Sequence, residues 1–190
     1  MSQFQLYLQL GIEHIVDWAG RDHILFTLVM ICIYSRTDWK QLLWIISSFT
    51  IAHTLTLALS VLQIISVSPS LIELLIAITI FLTALENLFF QQFWSKRVYL
   101  SGFFGLIHGM GFSNYLRSLL GRESDILLPL FSFNLGVEIG QLLIVIGILI
   151  IELLVFYLIK EKNKTIWIQL VSATVGIQSL LWIIERVQAL

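Results

Sequence analysis

The sequence predicts an all-α fold: a polytopic membrane helix bundle of about six transmembrane helices plus a short N-terminal interfacial helix. Three observations predict it. Of 190 residues, 58% are hydrophobic and only 12% are charged, about half the charged share of an ordinary globular domain. Mean hydropathy is +0.91. The apolar residues also gather into runs near the roughly 20 that a helix needs to cross a bilayer.

The same composition excludes several classes. With a net charge of −1 and no basic stripe, no nucleic-acid partner is expected. Cys32 is the single cysteine, which excludes an intrachain disulfide and a cysteine-based zinc site. The start, "MSQFQLYLQLG", has no basic n-region and is not expected to act as a signal peptide. No linker or low-complexity segment interrupts the chain, so residues 1–190 read as one integral-membrane domain in the lipid bilayer.

Taken in order, residues 4–16, "FQLYLQLGIEHIV", are too short and too polar to span, and read as an amphipathic helix at the interface. Six spans follow, at about 19–35, 41–65, 70–93, 98–117, 128–159 and 165–185. The fifth is too long for one upright crossing; it is either strongly tilted or opens with a separate segment before Asn134. "SVSPS" at 66–70 marks a tight turn. Arg36, Lys40, Lys96, Arg97, Lys160, Lys162 and Lys164 all fall on one side of a six-span chain. Positive loops face the cytoplasm, which puts both termini outside it, in a multi-pass protein of the cell (inner) membrane.

The polar residues inside these spans are the candidates for function. His23, His53 and His108 each lie about 15–18 Å from the inner boundary, at a rise of about 1.5 Å per residue. Glu73 and Glu138 lie toward the outer face, whereas Glu86 and Glu152 lie roughly 10–14 Å from the inner one. An ionisable group within a membrane is costly and normally faces the bundle interior. Each has a bland alternative: a single buried histidine is usually hydrogen-bonded core, and Glu86 can be held by Asn87 or a neighbouring helix. The common depth of three imidazoles weighs against coincidence.

Local spacing adds to this. Asn134, Glu138 and Gln141 share one helix stripe, and Thr50, His53 and Thr54 form a polar turn in an apolar span. Such groups orient metal-bound imidazoles, or simply join helices. Asp22 adjoins His23 and can serve as second ligand or as its orienter. In "FGLIHGMGF", Gly102, Gly105 and Gly109 form a stripe that lets the fourth span approach a neighbour closely, with His108 beside it. Imidazole and carboxylate without thiolate suit a divalent transition metal: Ni, Zn, Co or Mn.

The stretches "GIEHIVDWAGRDHILFTLV", "FTIAHTLTL", "SPSLIELLIAITIFLTALEN", "FGLIHGMGF" and "FNLGVEIGQL" resemble, in order, the motifs of the HupE/UreJ membrane family, in its second, shorter subgroup. The resemblance runs from about residue 10 to 145. It implies a nickel permease or an accessory protein of nickel hydrogenases and ureases. It carries over His14, Asp22, His23, His53, Glu73, His108 and Glu138 as metal-site residues. Seven residues separate His14 from Asp22 here, more than in the nickel-permease branch, and "HGMGFSNY" lacks that branch's carboxylate after the histidine. A first-row divalent metal is therefore the safer implication than nickel itself.

Three functions fit these residues. In a transition-metal permease, Glu73, Glu138 and His14 capture the ion. His23, His53 and His108 then hold it, and Glu86 and Glu152 relay it or a counter-proton inward. No ATP-binding motif is present, so transport is passive or secondary. In an intramembrane zinc hydrolase, three histidines bind zinc and Glu138 or Asp22 is the general base. In a haem-b electron carrier, His53 and His108 are axial ligands. Protein partners, where there are any, are a second copy of the chain or metalloenzyme-maturation proteins.

Overall fold

The computed structural model describes residues 1–90, 96–120, 126–159 and 163–190. The end of the third expected span at 91–93, the mixed loop beyond Leu120, and Lys160 and Lys162 lie outside these residues.

Among the described residues eight α-helices follow one another: α1 (Gln3–Val16), α2 (Arg21–Ile31), α3 (Trp39–Val61), α4 (Pro69–Phe89), α5 (Arg97–Gly111), α6 (Ser113–Leu120), α7 (Leu127–Ile159) and α8 (Lys164–Gln188). Among the described residues, α3, α4, α7 and α8 are long and apolar enough to cross a membrane. The number is four, not six. Their outward residues, such as Ile51, Leu82, Ile150 and Ile177, are exposed and apolar, as a lipid-facing surface requires.

The two expected spans that fall short do so for physical reasons. Helix α2 has 11 residues. The carbonyls of its last turn are taken by side chains: Asn87 Nδ2 donates to Val29 O at 2.8 Å and Arg97 Nη1 to Met30 O at 2.9 Å. Those oxygens would otherwise need a continuing helix. Most of its apolar residues, Phe26, Val29, Met30 and Ile31, face protein rather than lipid. Helix α5 has 15 residues. Gly109 and Gly111 favour helix weakly, and the chain turns at Phe112 into α6. The fifth expected span is one continuous helix of 33 residues, about 50 Å long.

Local signals set the helix ends. Ser2 Oγ accepts from Gln5 N, and Gln5 Oε1 accepts from Ser2 N, a reciprocal cap on α1. Pro69 occupies the first turn of α4, where its missing N–H costs nothing. Gln63, at φ 60°, closes α3 in the left-handed region, with Ile64 N donating to Leu59 O. Asn163 Oδ1 accepts from Thr165 N at the start of α8.

Close backbone approach joins helices into pairs. A Cβ on Gly109 would lie 2.2 Å from His53 O, and one on Gly105 2.5 Å from Phe49 O, so α5 lies directly on α3. Gly11 and Gly136 do the same for α1 and α7: a Cβ on Gly136 would stand 2.2 Å from Leu8 O. The helix expected at the interface is therefore packed along the first part of α7, with Tyr7, Gly11 and Ile15 buried. Helices α4 and α8 form the third pair, Gly176 meeting Ala84.

Opposite charges fix one end of the bundle. Arg97, 0% exposed, pairs with Glu86 and also holds Asn87. Lys164 pairs with Glu152 and donates to Tyr34 O at 2.6 Å. Arg97 is therefore not a loop cation, as the charge asymmetry took it to be, but the buried start of α5.

Two substitutions separate close approach from ordinary helix propensity. Gly109→Ala forces α5 off α3 and should cost about 2–3 kcal/mol or more, as overpacking does. A Cβ on Gly147 meets nothing within 4 Å, so Gly147→Ala should leave the melting temperature in detergent unchanged or raised. Equal melting temperatures for the two variants would refute the backbone contact.

Candidate functional site

The helix pairs bring four imidazoles together. His14 comes from the end of α1, His23 from the start of α2, His53 from α3 and His108 from α5. Ligand atoms of His14, His23 and His53 all lie within 4.8 Å of one another. The ring of His108 is 5.2 Å from that of His23, and the rings of His14 and His23 are 4.7 Å apart. His23, His53 and His108 meet as their depth predicted. His14, read as an outer capture group, lies in the cluster itself, because packing along α7 carries it beside His23 and His53.

Three of the rings have one nitrogen assigned to a protein acceptor. His53 Nδ1 is 3.4 Å from Asn134 Oδ1. Asn134 is itself oriented by donating from Nδ2 to Leu130 O at 2.7 Å, so the amide oxygen faces the imidazole and takes its proton. His23 Nδ1 is 3.2 Å from Asp22 Oδ1. His108 Nε2 is 3.5 Å from Thr79 Oγ1, whose own hydrogen goes to Ile76 O at 2.8 Å. Each partner therefore holds the proton on one nitrogen and leaves a lone pair on the other.

The other nitrogens are buried without a partner: His23 Nε2, His53 Nε2, His108 Nδ1 and also His14 Nε2. Orphaned buried polar atoms are rare and costly. Buried imidazole nitrogens grouped in this way, each carrying a lone pair or free to do so, are donors of the type that suits a divalent transition metal, and His14, His23 and His53 are close enough together to share one. The ligand atoms of His14, His23 and His53, within 4.8 Å of one another, compare with roughly 3.4 Å between nitrogens of a tetrahedral zinc site, a gap that small ring rotations would close.

The walls are aromatic. Phe112 stands 3.9 Å from His14, Phe26 5.0 Å from His108, and Phe49 5.8 Å from His53, ring to ring. Phe26 and Phe49 stand on the side of the Glu86–Arg97 pair, where they line a small void of about 10 Å³, room for one water at most. On the other side a cavity of about 510 Å³ reaches His14, His23 and His108 and opens past Glu73, Arg186 and Trp182.

The carboxylates divide. Asp22 belongs to the cluster as the partner of His23. Glu73 stands at the cavity mouth, its side chain 60% exposed, with Arg186 Nε 3.9 Å away. Glu138 is not at the outer side of the imidazoles: it accepts from Ser47 Oγ at 2.7 Å. Ser47 is six residues before His53, about 9 Å along α3 toward the Glu86–Arg97 end. The stripe of Asn134, Glu138 and Gln141 does face one neighbour, since Thr50 Oγ1 donates to Gln141 Oε1 at 3.0 Å. Glu86 and Glu152, read as possible inward relays, are each ion-paired, Glu86 with Arg97 and Glu152 with Lys164.

Thr79 and the phenylalanines escaped the sequence reading. Nothing distinguishes Thr79 from other threonines of an apolar run. The phenylalanines did leave a trace: Phe49 and Phe104 each precede a site histidine by one helical turn, and Phe49 stacks beside His53 at an interplanar angle of 22°.

The family described as HupE / UreJ protein matches residues 1–186 of the chain. No characterised protein and no solved structure matches it.

Asn134→Leu tests the orienting contact apart from the ligands. It should lower affinity for Ni²⁺ or Co²⁺ about 10–100-fold, as loss of an outer hydrogen bond does, with the fold intact. Titration calorimetry showing wild-type affinity would remove Asn134 from the site.

Proposed function

The chain belongs to the HupE/UreJ family, and on that footing we propose that it is a permease for a divalent first-row transition metal, nickel or cobalt first. The ion is its substrate, held by His14, His23, His53 and His108 within the bundle. One observation carries this: imidazoles from four helices cluster, with ligand atoms of His14, His23 and His53 within 4.8 Å of one another, and each of the four rings keeps a buried nitrogen without a protein partner. Two more support it. The pocket is open toward Glu73 and closed toward Glu86–Arg97 by phenylalanine rings, as a carrier facing one side of the membrane would be. Glu138 then lies past the cluster, on the closed half of the path.

The zinc-hydrolase alternative has less support. A general base must be free to reach a water on the metal, and Asp22 is engaged with His23 while Glu138 is engaged with Ser47.

Purified protein should bind one Ni²⁺ or Co²⁺ per chain. His53→Ala or His108→Ala should weaken binding tenfold or more, and reconstituted protein should carry the ion into vesicles. Unchanged binding in both variants would sink the site; binding without uptake in the wild type would leave a metal-holding accessory protein and refute the permease.

We further place the chain in the cell (inner) membrane with both termini outside the cytoplasm. Helices α2 and α5, though short, run the same way as full spans would: α2 starts beside Trp182 and ends at Asn87 and Arg97. A reporter fused after Leu190 should be active only on the outer side. Cytoplasmic reporter activity there would reverse this orientation.

A further inference from the structure

The site has two openings, and they differ in charge. The first is the cavity of about 510 Å³, whose lining carries both signs, Arg21 and Arg186 with Asp22 and Glu73. Both guanidinium carbons lie 5.4 Å from the Trp182 ring, and Arg186 also donates to Glu73 O, so the two cations are pinned there rather than free to swing away. The second is a cavity of about 430 Å³ between the end of α1 and α6. It shares His14, Gly20 and Phe112 with the first, and its charged lining residues are acidic, Glu13 and Asp17, with Tyr115 on the α6 side. His14, whose Nε2 has no hydrogen-bond partner, lines both.

We infer that the metal ion comes in through the second opening, with Glu13 and Asp17 as the residues that select and steer a divalent cation toward His14. This rests on the metal-permease function proposed above. A charged mouth with low-dielectric walls focuses the field and raises the local concentration of the opposite charge. At the other mouth the acids are offset, Glu73 by Arg186 3.9 Å away and Asp22 by the neighbouring Arg21, so no net negative field draws a cation there. Glu13 is set in place from one turn earlier by Gln9 Nε2, 2.6 Å from Glu13 Oε1. The position also breaks a local rule. Glu13 lies in the last turn of α1 and Asp17 caps it, where the helix dipole favours positive charge. Such local conflicts concentrate at functional positions.

The test is the rate of Ni²⁺ or Co²⁺ association with the purified full chain, followed by quenching of the cavity tryptophans at several salt concentrations. The Glu13→Gln/Asp17→Asn double variant should associate about tenfold more slowly at low salt. Its salt dependence should flatten, while the dissociation rate stays that of the wild type. Arg21→Gln should keep the wild-type salt dependence. Unchanged association in the double variant overturns the inference while leaving the permease standing. So does a faster dissociation with no change in association, which marks a structural role. Glu13→Lys, which should slow association further, confirms the sign in a second variant. A wild type with no saturable association overturns the metal site itself, and this inference with it.

Discussion

The structure depends on a backbone contact. Helix α5 lies on α3 with no side chain between them at Gly105 and Gly109. That contact fixes which face of α5 points inward, and so aims His108 at the space beside His53. The contact between α1 and α7 repeats the arrangement and delivers His14 from another direction. In lipid there is little hydrophobic gain in bringing one apolar helix to another, so close packing and polar contacts must do the joining. Glycine supplies the first. The second comes from the ladder between α7 and α3, in which Asn134, Glu138 and Gln141 meet His53, Ser47 and Thr50.

The same groups that join the helices also prepare the imidazoles. Asn134, Asp22 and Thr79 each satisfy one nitrogen of a ring and leave the other facing its neighbours. Burying a nitrogen lone pair without a donor is unfavourable, and four together would loosen any protein that had no use for them. At the far end the charges are matched, although Glu86 Oε1 and Arg97 Nε are also buried without a hydrogen-bond partner. Glu86 has Arg97, Glu152 has Lys164, and the last carbonyls of α2 have Asn87 and Arg97. Removing one member of a buried pair is far more damaging than never having had it. The paired acids thus hold the closed end, and the unpaired imidazoles mark the site.

Much of this was legible in the sequence, and the limits are instructive. Residue depth along apolar runs located His23, His53 and His108 on one level, because the rise of a helix is fixed whatever it packs against. The 134/138/141 stripe was legible for the same reason. Span number was not. A run of apolar residues shows that a segment avoids water, not whether lipid or protein covers it; most apolar residues of α2 are covered by the bundle, whereas α5 buries mainly its polar and glycine face. The partners of charged residues were also hidden. Glu86 and Arg97 are 11 residues apart, across a helix end the sequence alone could not place. His14 was carried over by family resemblance, and only the packing of α1 on α7 puts it among the other three.

The shortness of α5 bears on how the chain is built. Its 15 residues span about 22 Å, less than the roughly 30 Å hydrocarbon core. It contains a histidine, four glycines and an arginine at its start. Such a segment gains little from lipid and does not partition on its own merits. It needs a seat already made, and both halves of that seat, α3 with its glycine-fitting surface and α4 with Glu86, leave the ribosome before it. Helix α2 stands the other way round: it emerges before Asn87 and Arg97, the side chains that finish its last turn. The N-terminal end of the bundle therefore waits, incompletely capped, until α5 arrives to complete it.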